Sequence, residues 1–172
     1  GRRIFIGGGL LLLLLCLAPA ALAAGQLYVT GSGYEYTADV LTIKDGAKVT
    51  IANAAGVASA TDTIFVEKDA GAEIALAGVA IDVSGTAGAA AFKIADDSTG
   101  NVVVHLAGKN VLKSGENCAG LQKSGSADDV GTLTIDGPGR LEAEGGAYGA
   151  GIGGGYRSDG RDIAITGGEV QA

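Results

Sequence analysis

The strongest constraint on the fold is a repeat of about thirty residues that runs from residue 40 to the end of the sequence. Each unit has an alternating apolar segment, a glycine and a second short apolar segment, as in NVVVHLAGKNVL and RDIAITGGEVQA. The shared glycines are 32, 30, 29 and 30 residues apart: Gly46, Gly78, Gly108, Gly137 and Gly167. A fixed period in this range indicates a stacked-repeat architecture.

A second set of apolar residues carries the same period. Its members are separated by 28, 29 and 31 residues: Ile64, Phe92, Leu121 and Ile152. Within each unit the apolar residues alternate at period two, which is typical of strands and not of helices. Alternation sends inward Phe65 and Phe92 and the residues that flank the shared glycines: Leu76, Leu106, Ile135, Ile165, Ile81, Val111 and Val170.

Two or three short strands per thirty residues predict an all-β fold, a single-stranded parallel β-helix (β-solenoid) of about five coils of about 30 residues. One coil buries too little apolar surface to offset its lost chain entropy, so each coil must pair with its neighbours. We therefore expect Leu106 and Ile135 to lie directly on top of each other. The solenoid repeats span residues 40–172, and residues 25–39 are the predicted N-terminal cap or linker, since an unpaired strand edge invites aggregation.

Residues 1–24 are typical of a secretory signal peptide. Arg2 and Arg3 precede an apolar stretch, and Ala21-Leu22-Ala23 matches a small-residue cleavage site. The alternative is an uncleaved segment, which would be the only contact of this protein with a membrane. Because the sequence begins without methionine and ends inside a repeat, we expect further coils or another domain after Ala172.

The charge of the chain excludes some partners. The net charge is −7 at pH 7, and it becomes −9 without Arg2 and Arg3. Nucleic acid binding needs a basic surface, so we expect no nucleic acid partner. Cys118 is the one cysteine that follows the predicted signal peptide, so no internal disulfide is expected, and no cofactor is predicted.

The segment GAGIGGG, residues 149–155, matches the glycine fingerprint of dinucleotide-binding loops. Such a loop must open a helix, because the pyrophosphate binds at the helix N-terminus. Here a polar turn, YRSDGRD, and another strand pattern follow. We therefore interpret the glycines as a closely stacked corner of a coil and expect no nucleotide ligand.

Together, the stretches YEYTADVLTIKDGAKVTI, GTLTIDGPGRLEAEGG and YGAGIGGG…GRDIAITGGEVQA resemble a group of secreted and cell-surface bacterial proteins. These carry tandem repeats with GAGIGGG and TLTI-G-G-L-A motifs and are labelled carbohydrate-binding or uncharacterised. The resemblance covers nearly all of residues 25–172 and implies the β-helix architecture. It brings no catalytic motif, so no functional residue is carried over from it.

Acidic residues recur in the loop before each main strand, at Asp97, Asp129 and Asp159 among others. If these loops stack, carboxylates from neighbouring coils could bind calcium, which accepts flexible oxygen ligands. Their distances to the shared glycines drift from repeat to repeat, which favours a solvated acidic edge over a metal site. His105 is predicted to point outward and Cys118 to be a buried corner residue.

Ligand-binding candidates surround the glycine segment. Tyr148 and Tyr156 flank it and offer aromatic faces for a sugar, and Arg157 and Asp159 follow in the polar turn. The same turn is the densest group of acid and base side chains, so a carbohydrate-active β-helix enzyme is a further alternative.

The main prediction is a secreted or surface-displayed structural or adhesive module without enzymatic activity. An extracellular glycan or a cell-surface protein of a host is its expected partner. A carbohydrate-binding module is the first alternative, and the enzyme is the second.

Overall fold

The computed structural model describes residues 25–126 and 130–172, and this part of the chain contains fourteen β-strands. The predicted signal peptide lies outside the described residues. Within the described ranges, no helix has the length and apolarity that a membrane crossing requires.

The fold begins with two long strands, β1 (Leu27–Thr37) and β2 (Val40–Asn53). After them, each turn of the chain contributes one strand to each of three parallel ladders. The first ladder contains β3 (Thr63–Val66), β6 (Phe92–Ile94), β9 (Leu121–Lys123) and β12 (Ile152–Gly153). The second contains β4 (Ala72–Ala77), β7 (Val102–Ala107), β10 (Leu133–Asp136) and β13 (Ile163–Ile165). The third contains β5 (Ala80–Asp82), β8 (Lys109–Lys113), β11 (Arg140–Glu144) and β14 (Glu169–Gln171).

The prediction of an all-β parallel solenoid is confirmed, with about four turns in place of five. The difference lies at the start. Residues 40–43 of β2 pair with β3 and residues 47–51 pair with β4, so one strand runs along two ladders. On its other edge, β1 pairs antiparallel with both parts of β2. The first predicted repeat is therefore the single long strand β2, which belongs to two ladders, and not a complete three-stranded turn.

The predicted stacking of the second set of apolar residues is confirmed. Ile64 pairs with Phe92, Phe92 with Leu121 and Leu121 with Ile152 along the first ladder. Leu41 of β2 lies at the start of this column, next to Ile64. The stack forms one wall of the aliphatic core, in which most of the inward side chains are buried.

The expected stack of Leu106 on Ile135 is wrong by two residues. Leu106 pairs with Leu76, whereas Ile135 pairs with Val104. Gly137 lies over Leu106 instead, and a Cβ on Gly137 would come within 2.5 Å of the Leu106 carbonyl oxygen. Because side chains alternate along a strand, a shift by two residues keeps Ile135 inside the core, so the fold is unchanged.

The glycine alignment of the first repeat is also wrong. The Gly46 N–H donates to the Gly71 carbonyl at 2.8 Å, so Gly46 is the counterpart of Gly71 and not of Gly78. Gly46 has a φ of 72° and lies between the two parts of β2. Gly46 therefore marks an earlier corner of its turn than the corner at which Gly78 and Gly108 lie.

Two residues face outward although they were predicted to point inward. Val111 is half-buried, and its neighbour Leu112 enters the core and pairs with Ile81. Phe65 is also half-buried, since Ile64 takes the inward position beside it, whereas Phe92 is buried as predicted. A shift by one residue exchanges the two sides of a strand, which explains these errors.

Buried Asn110 occupies the inward position that an apolar residue was expected to fill. Its Oδ1 accepts hydrogen bonds from the N–H groups of Gly78 at 3.0 Å and Val79 at 2.9 Å. Its Nδ2 donates to the carbonyls of Ala107 at 3.3 Å and Arg140 at 3.2 Å. One side chain thus connects three successive turns at the corner between the second and third ladders.

Candidate functional site

The structure brings the two predicted tyrosines together. Tyr148 lies in the loop between β11 and β12, and Tyr156 lies in the loop that follows β12. Their ring centroids are 5.7 Å apart, and the ring planes meet at 62° in an edge-to-face arrangement. Tyr148 is 73% exposed and Tyr156 is 46% exposed. Two large aromatic faces are therefore open to solvent at one corner of the last described turn.

Arg157 completes this group, which we call the aromatic cluster: Tyr148, Tyr156 and Arg157. The guanidinium carbon of Arg157 lies 4.9 Å from the centroid of the Tyr156 ring, within the range of a cation–π contact. Tyr148 and Arg157 have φ angles of 68° and 55°, in the left-handed region that non-glycine residues rarely adopt. Such backbone is held in place by surrounding contacts, and strained residues cluster at binding sites.

The predicted Asp159 lies in a polar cleft beside the aromatic cluster. Arg157 also lines this cleft, so it joins the two regions. The cleft has a volume of about 360 Å³ and is also lined by Ser158 of the same loop and by polar residues of the two preceding turns: Asp96, Asp97, Ser124 and Ser126. Carboxylates, hydroxyls and a guanidinium here offer both hydrogen-bond acceptors and donors to a ligand.

The carboxylates of this cleft have protein partners. Asp97 Oδ1 accepts the backbone N–H of Ser126 at 2.7 Å, one turn further along the chain. Asp96 pairs with Lys93 at 3.0 Å, and Asp159 pairs with Arg161 at 3.6 Å. The described residues hold no group of three acidic, histidine or cysteine side chains that could bind a metal ion. Asp129 lies outside the described residues, and the calcium hypothesis stays a prediction.

The acidic loops have a structural role that sequence analysis missed. Asp69 Oδ1 accepts the N–H of Thr99 at 2.9 Å, thirty residues later, just as Asp97 accepts from Ser126. The hydrogen bond from the Thr99 N–H lowers the pKa of the Asp69 carboxyl. These aspartates connect the loop of one turn to the loop of the next.

The loop that carries Tyr156 and Asp159 is attached to the preceding turn by a buried ammonium group. Lys123 is 4% exposed and pairs with Ile94 in an inward column. Its Nζ donates to the carbonyl of Arg161 at 2.7 Å. Burial lowers the pKa of the Lys123 ammonium, and the nearby Asp162 charge partly offsets this effect.

Three more hydrogen bonds attach the same loop to the preceding turn. The Gly155 N–H donates to Ser124 Oγ at 3.2 Å, and the Gly125 N–H donates to the Asp159 carbonyl at 3.0 Å. The Tyr156 N–H donates to a carbonyl of the loop before β9, at Asn117, over 2.8 Å. The loop is thus fixed from several directions.

One sequence signal pointed to Lys123: it follows Leu121 by two residues and so shares its inward side.

The glycines of GAGIGGG allow neighbouring turns to approach closely. A Cβ on Gly149 would lie 1.9 Å from the Cys118 carbonyl oxygen, and one on Gly155 would lie 2.7 Å from that of Asn117, both on the preceding turn. The segment contains β12, and a loop and β13 follow it. The arrangement is the stacked corner that was expected from the sequence.

Two other singled-out residues lie as predicted, His105 on the outside and Cys118 buried at a corner. His105 is exposed on the outer side of the second ladder, and its Nδ1 contacts the carboxylate of Asp136 on the next turn. Cys118 is a buried free thiol whose pKa is raised by burial. A raised pKa keeps the thiol protonated and unreactive.

The fold and this surface define a parallel β-solenoid that displays an aromatic cluster next to a polar cleft. No protein-family model, no curated protein and no solved structure matches the chain. The resemblance to bacterial surface repeat proteins therefore stays a prediction.

Proposed function

We propose that this chain is a secreted or surface-displayed structural and adhesive module whose partner is an extracellular glycan or a cell-surface protein. The observation that carries the proposal is the continuous ladder construction. Strands from successive turns pair in register, and their inward aliphatic side chains form one buried column after another. A stack with paired ladders and a continuous buried core suits a stiff, protease-resistant spacer outside the cell.

Ion pairs between neighbouring turns support the same role. They lie on the outer side of the ladders: Lys48–Glu73, Lys109–Glu142, Lys113–Glu144 and Arg140–Glu169. Exposed pairs add little stability individually, but they satisfy the polar outer surface of each turn and oppose slipped registers.

The test of this proposal is surface accessibility in the producing organism. Intact cells are treated with an external protease and then probed with an antibody against residues 25–172. We expect the chain in the medium or on the cell surface, and we expect it to persist after an unrelated surface protein is digested. Detection of the chain inside the cell alone would refute an extracellular role.

Carbohydrate binding is the second candidate function, and the aromatic cluster favours it. Sugar rings stack on exposed aromatic faces, and Tyr148 and Tyr156 offer two of them next to polar groups. The test is a glycan array probed with the protein, with Tyr148→Ala and with Tyr156→Ala. Tyr28→Ala is the matched control, because Tyr28 is also exposed, at 60%, but lies on β1 at the opposite end of the stack.

We propose no catalytic role for the polar cleft. The Asp97 carboxylate accepts the Ser126 N–H of the next turn, and the Asp159 carboxylate pairs with Arg161 in its own loop, so both have partners without a reaction. Polysaccharide turnover by the protein that disappears in Asp159→Ala, while the fold is retained, would instead support the enzyme alternative.

A further inference from the structure

The angle between the two tyrosine rings restricts the shape of a sugar ligand. The flat surface of a polysaccharide such as cellulose or chitin is matched by aromatic faces that lie side by side in one plane. The planes of Tyr148 and Tyr156 instead meet at 62°, with the edge of one ring directed at the face of the other. They form a corner, and a corner accommodates the face of one sugar ring and blocks the continuation of a flat chain.

The side of Tyr156 that Arg157 covers is not open to a second sugar. The guanidinium lies 4.9 Å from the ring centroid, so this face of the ring already has a partner. Tyr148, at 73% exposure, is the ring with the larger free surface. A sugar stacked on Tyr148 would therefore lie beside Tyr156, which carries the Arg157 guanidinium on one of its faces.

The polar cleft has the size of a small-ligand site. Its volume of about 360 Å³ lies near the lower end of the range of roughly 300–1,000 Å³ that is usual for small-molecule pockets. Arg157 connects the cleft to the aromatic cluster, and Ser158 and Asp159 follow it in the same loop. The cleft can thus receive the hydroxyl groups of one or two sugar units, with Asp159 as acceptor and Arg157 as donor.

The described part of the chain has no row of aromatic rings along which a polysaccharide could extend. Its other strongly exposed aromatic ring, Tyr28, belongs to β1. The aromatic cluster lies five strand spacings away, and at about 4.8 Å per spacing the separation along the stack is roughly 24 Å. A chain lying on the surface would meet one aromatic site and not a series.

We propose that this site binds a terminal sugar unit or a short saccharide and not the length of a polysaccharide chain. The inference rests on the carbohydrate-binding function proposed above and specifies its ligand. The ring of the sugar stacks on Tyr148 at the corner made with Tyr156, and its hydroxyls reach Arg157 and Asp159.

The experiment compares ligand length for the full protein. Probes are soluble, uncharged oligosaccharides of one to six units from the series that binds best on an array, together with insoluble cellulose and chitin. We expect affinity to level off at one or two units, within about twofold up to the hexamer, and no retention on the insoluble polymers. Tyr148→Ala should lower the affinity about tenfold, as loss of an aromatic stacking contact does. Tyr28→Ala should leave it unchanged.

The outcomes separate this inference from the function on which it rests. Affinity that rises with every added unit, or retention on cellulose or chitin that Tyr148→Ala abolishes, would overturn the terminal-sugar inference and leave carbohydrate binding in place. Absence of binding to every glycan on the array would overturn both. Since Tyr148 is exposed, circular dichroism of Tyr148→Ala should match that of the unchanged protein, which distinguishes a lost contact from a lost fold.

Discussion

At the scale of single residues, polar side chains connect neighbouring turns alongside the apolar core, and one of them, Asn110, is fully buried. Asn110 satisfies four backbone groups from three turns, and Asp69 and Asp97 accept backbone N–H groups one turn ahead. A buried backbone group without a partner is costly, so Asn110 fixes the relative position of the three turns that it joins.

Replacement of Asn110 by alanine should therefore destabilise the protein strongly. The Gly78 and Val79 N–H groups and the Arg140 carbonyl would lose a partner in the interior. We expect a loss of about 2–5 kcal/mol in the free energy of unfolding, measured by chemical denaturation. Lys109→Ala, at the exposed neighbouring position, is the control and should shift the denaturation midpoint little. Equal effects of the two substitutions would contradict the role of Asn110.

The buried Lys123 predicts a dependence of stability on pH. Its pKa is lower in the folded protein than in the unfolded chain, so between the two values the unfolded chain binds more protons. Stability should then rise as the pH increases from the folded-state pKa towards 10.5, and the gain should be absent below that window. The measurement is the difference in unfolding free energy between the protein and Lys123→Met from pH 7 to 11. A difference that is constant across this range would refute the burial of the charge.

At the scale of elements, register between strands is set by close backbone contacts that apolar patterns do not reveal. β10 lies on β7 with Gly137 above Leu106, and Gly137 has a φ of 95°. A side chain at this position would meet both a forbidden backbone conformation and the neighbouring strand.

Gly137→Ala should test this contact. The added Cβ would lie 2.5 Å from the Leu106 carbonyl oxygen, and we expect a loss of about 2–4 kcal/mol in unfolding free energy. Gly85→Ala is the matched control, since a Cβ there would meet nothing within 4 Å. Thermal unfolding of both variants gives the comparison, and tolerance of alanine at Gly137 would show that the register is different.

Sequence alone predicts the first ladder well and the glycine register poorly. Ile64, Phe92, Leu121 and Ile152 stack as expected, because each is the first inward residue of a short strand between two corners. Gly46, the shared glycine of the first repeat, lies at a different corner from the later shared glycines, because β2 runs along two ladders without an intervening loop. Glycine marks a corner or a close approach, and its position alone does not distinguish one corner from the next.

The candidate site is likewise predictable in part. Tyr148 and Tyr156 flank a glycine segment of seven residues, so their proximity follows from loop length. The contacts of Lys123, Ser124 and Asn117 with this loop join residues about 31 to 39 positions apart. They depend on the true register of the first ladder, which local patterns do not supply.

At the scale of the whole molecule, residues one turn apart lie in straight columns with a constant spacing. The outer side of the second ladder offers one such column, in which paired residues follow each other: Ser32, Lys48, Glu73, Val103, Thr134 and Ala164. Each step should advance by the distance between hydrogen-bonded strands, about 4.8 Å.

The most direct test is a series of distances from spin labels placed on this column by cysteine substitution, in a background without native cysteines. One label stays at Ser32, and the second is placed at Val103, Thr134 or Ala164. Electron paramagnetic resonance should give separations of about 14, 19 and 24 Å, rising by about 5 Å per turn. Distances that fail to increase in this order, or that are equal for two of the three positions, would contradict the stacked solenoid.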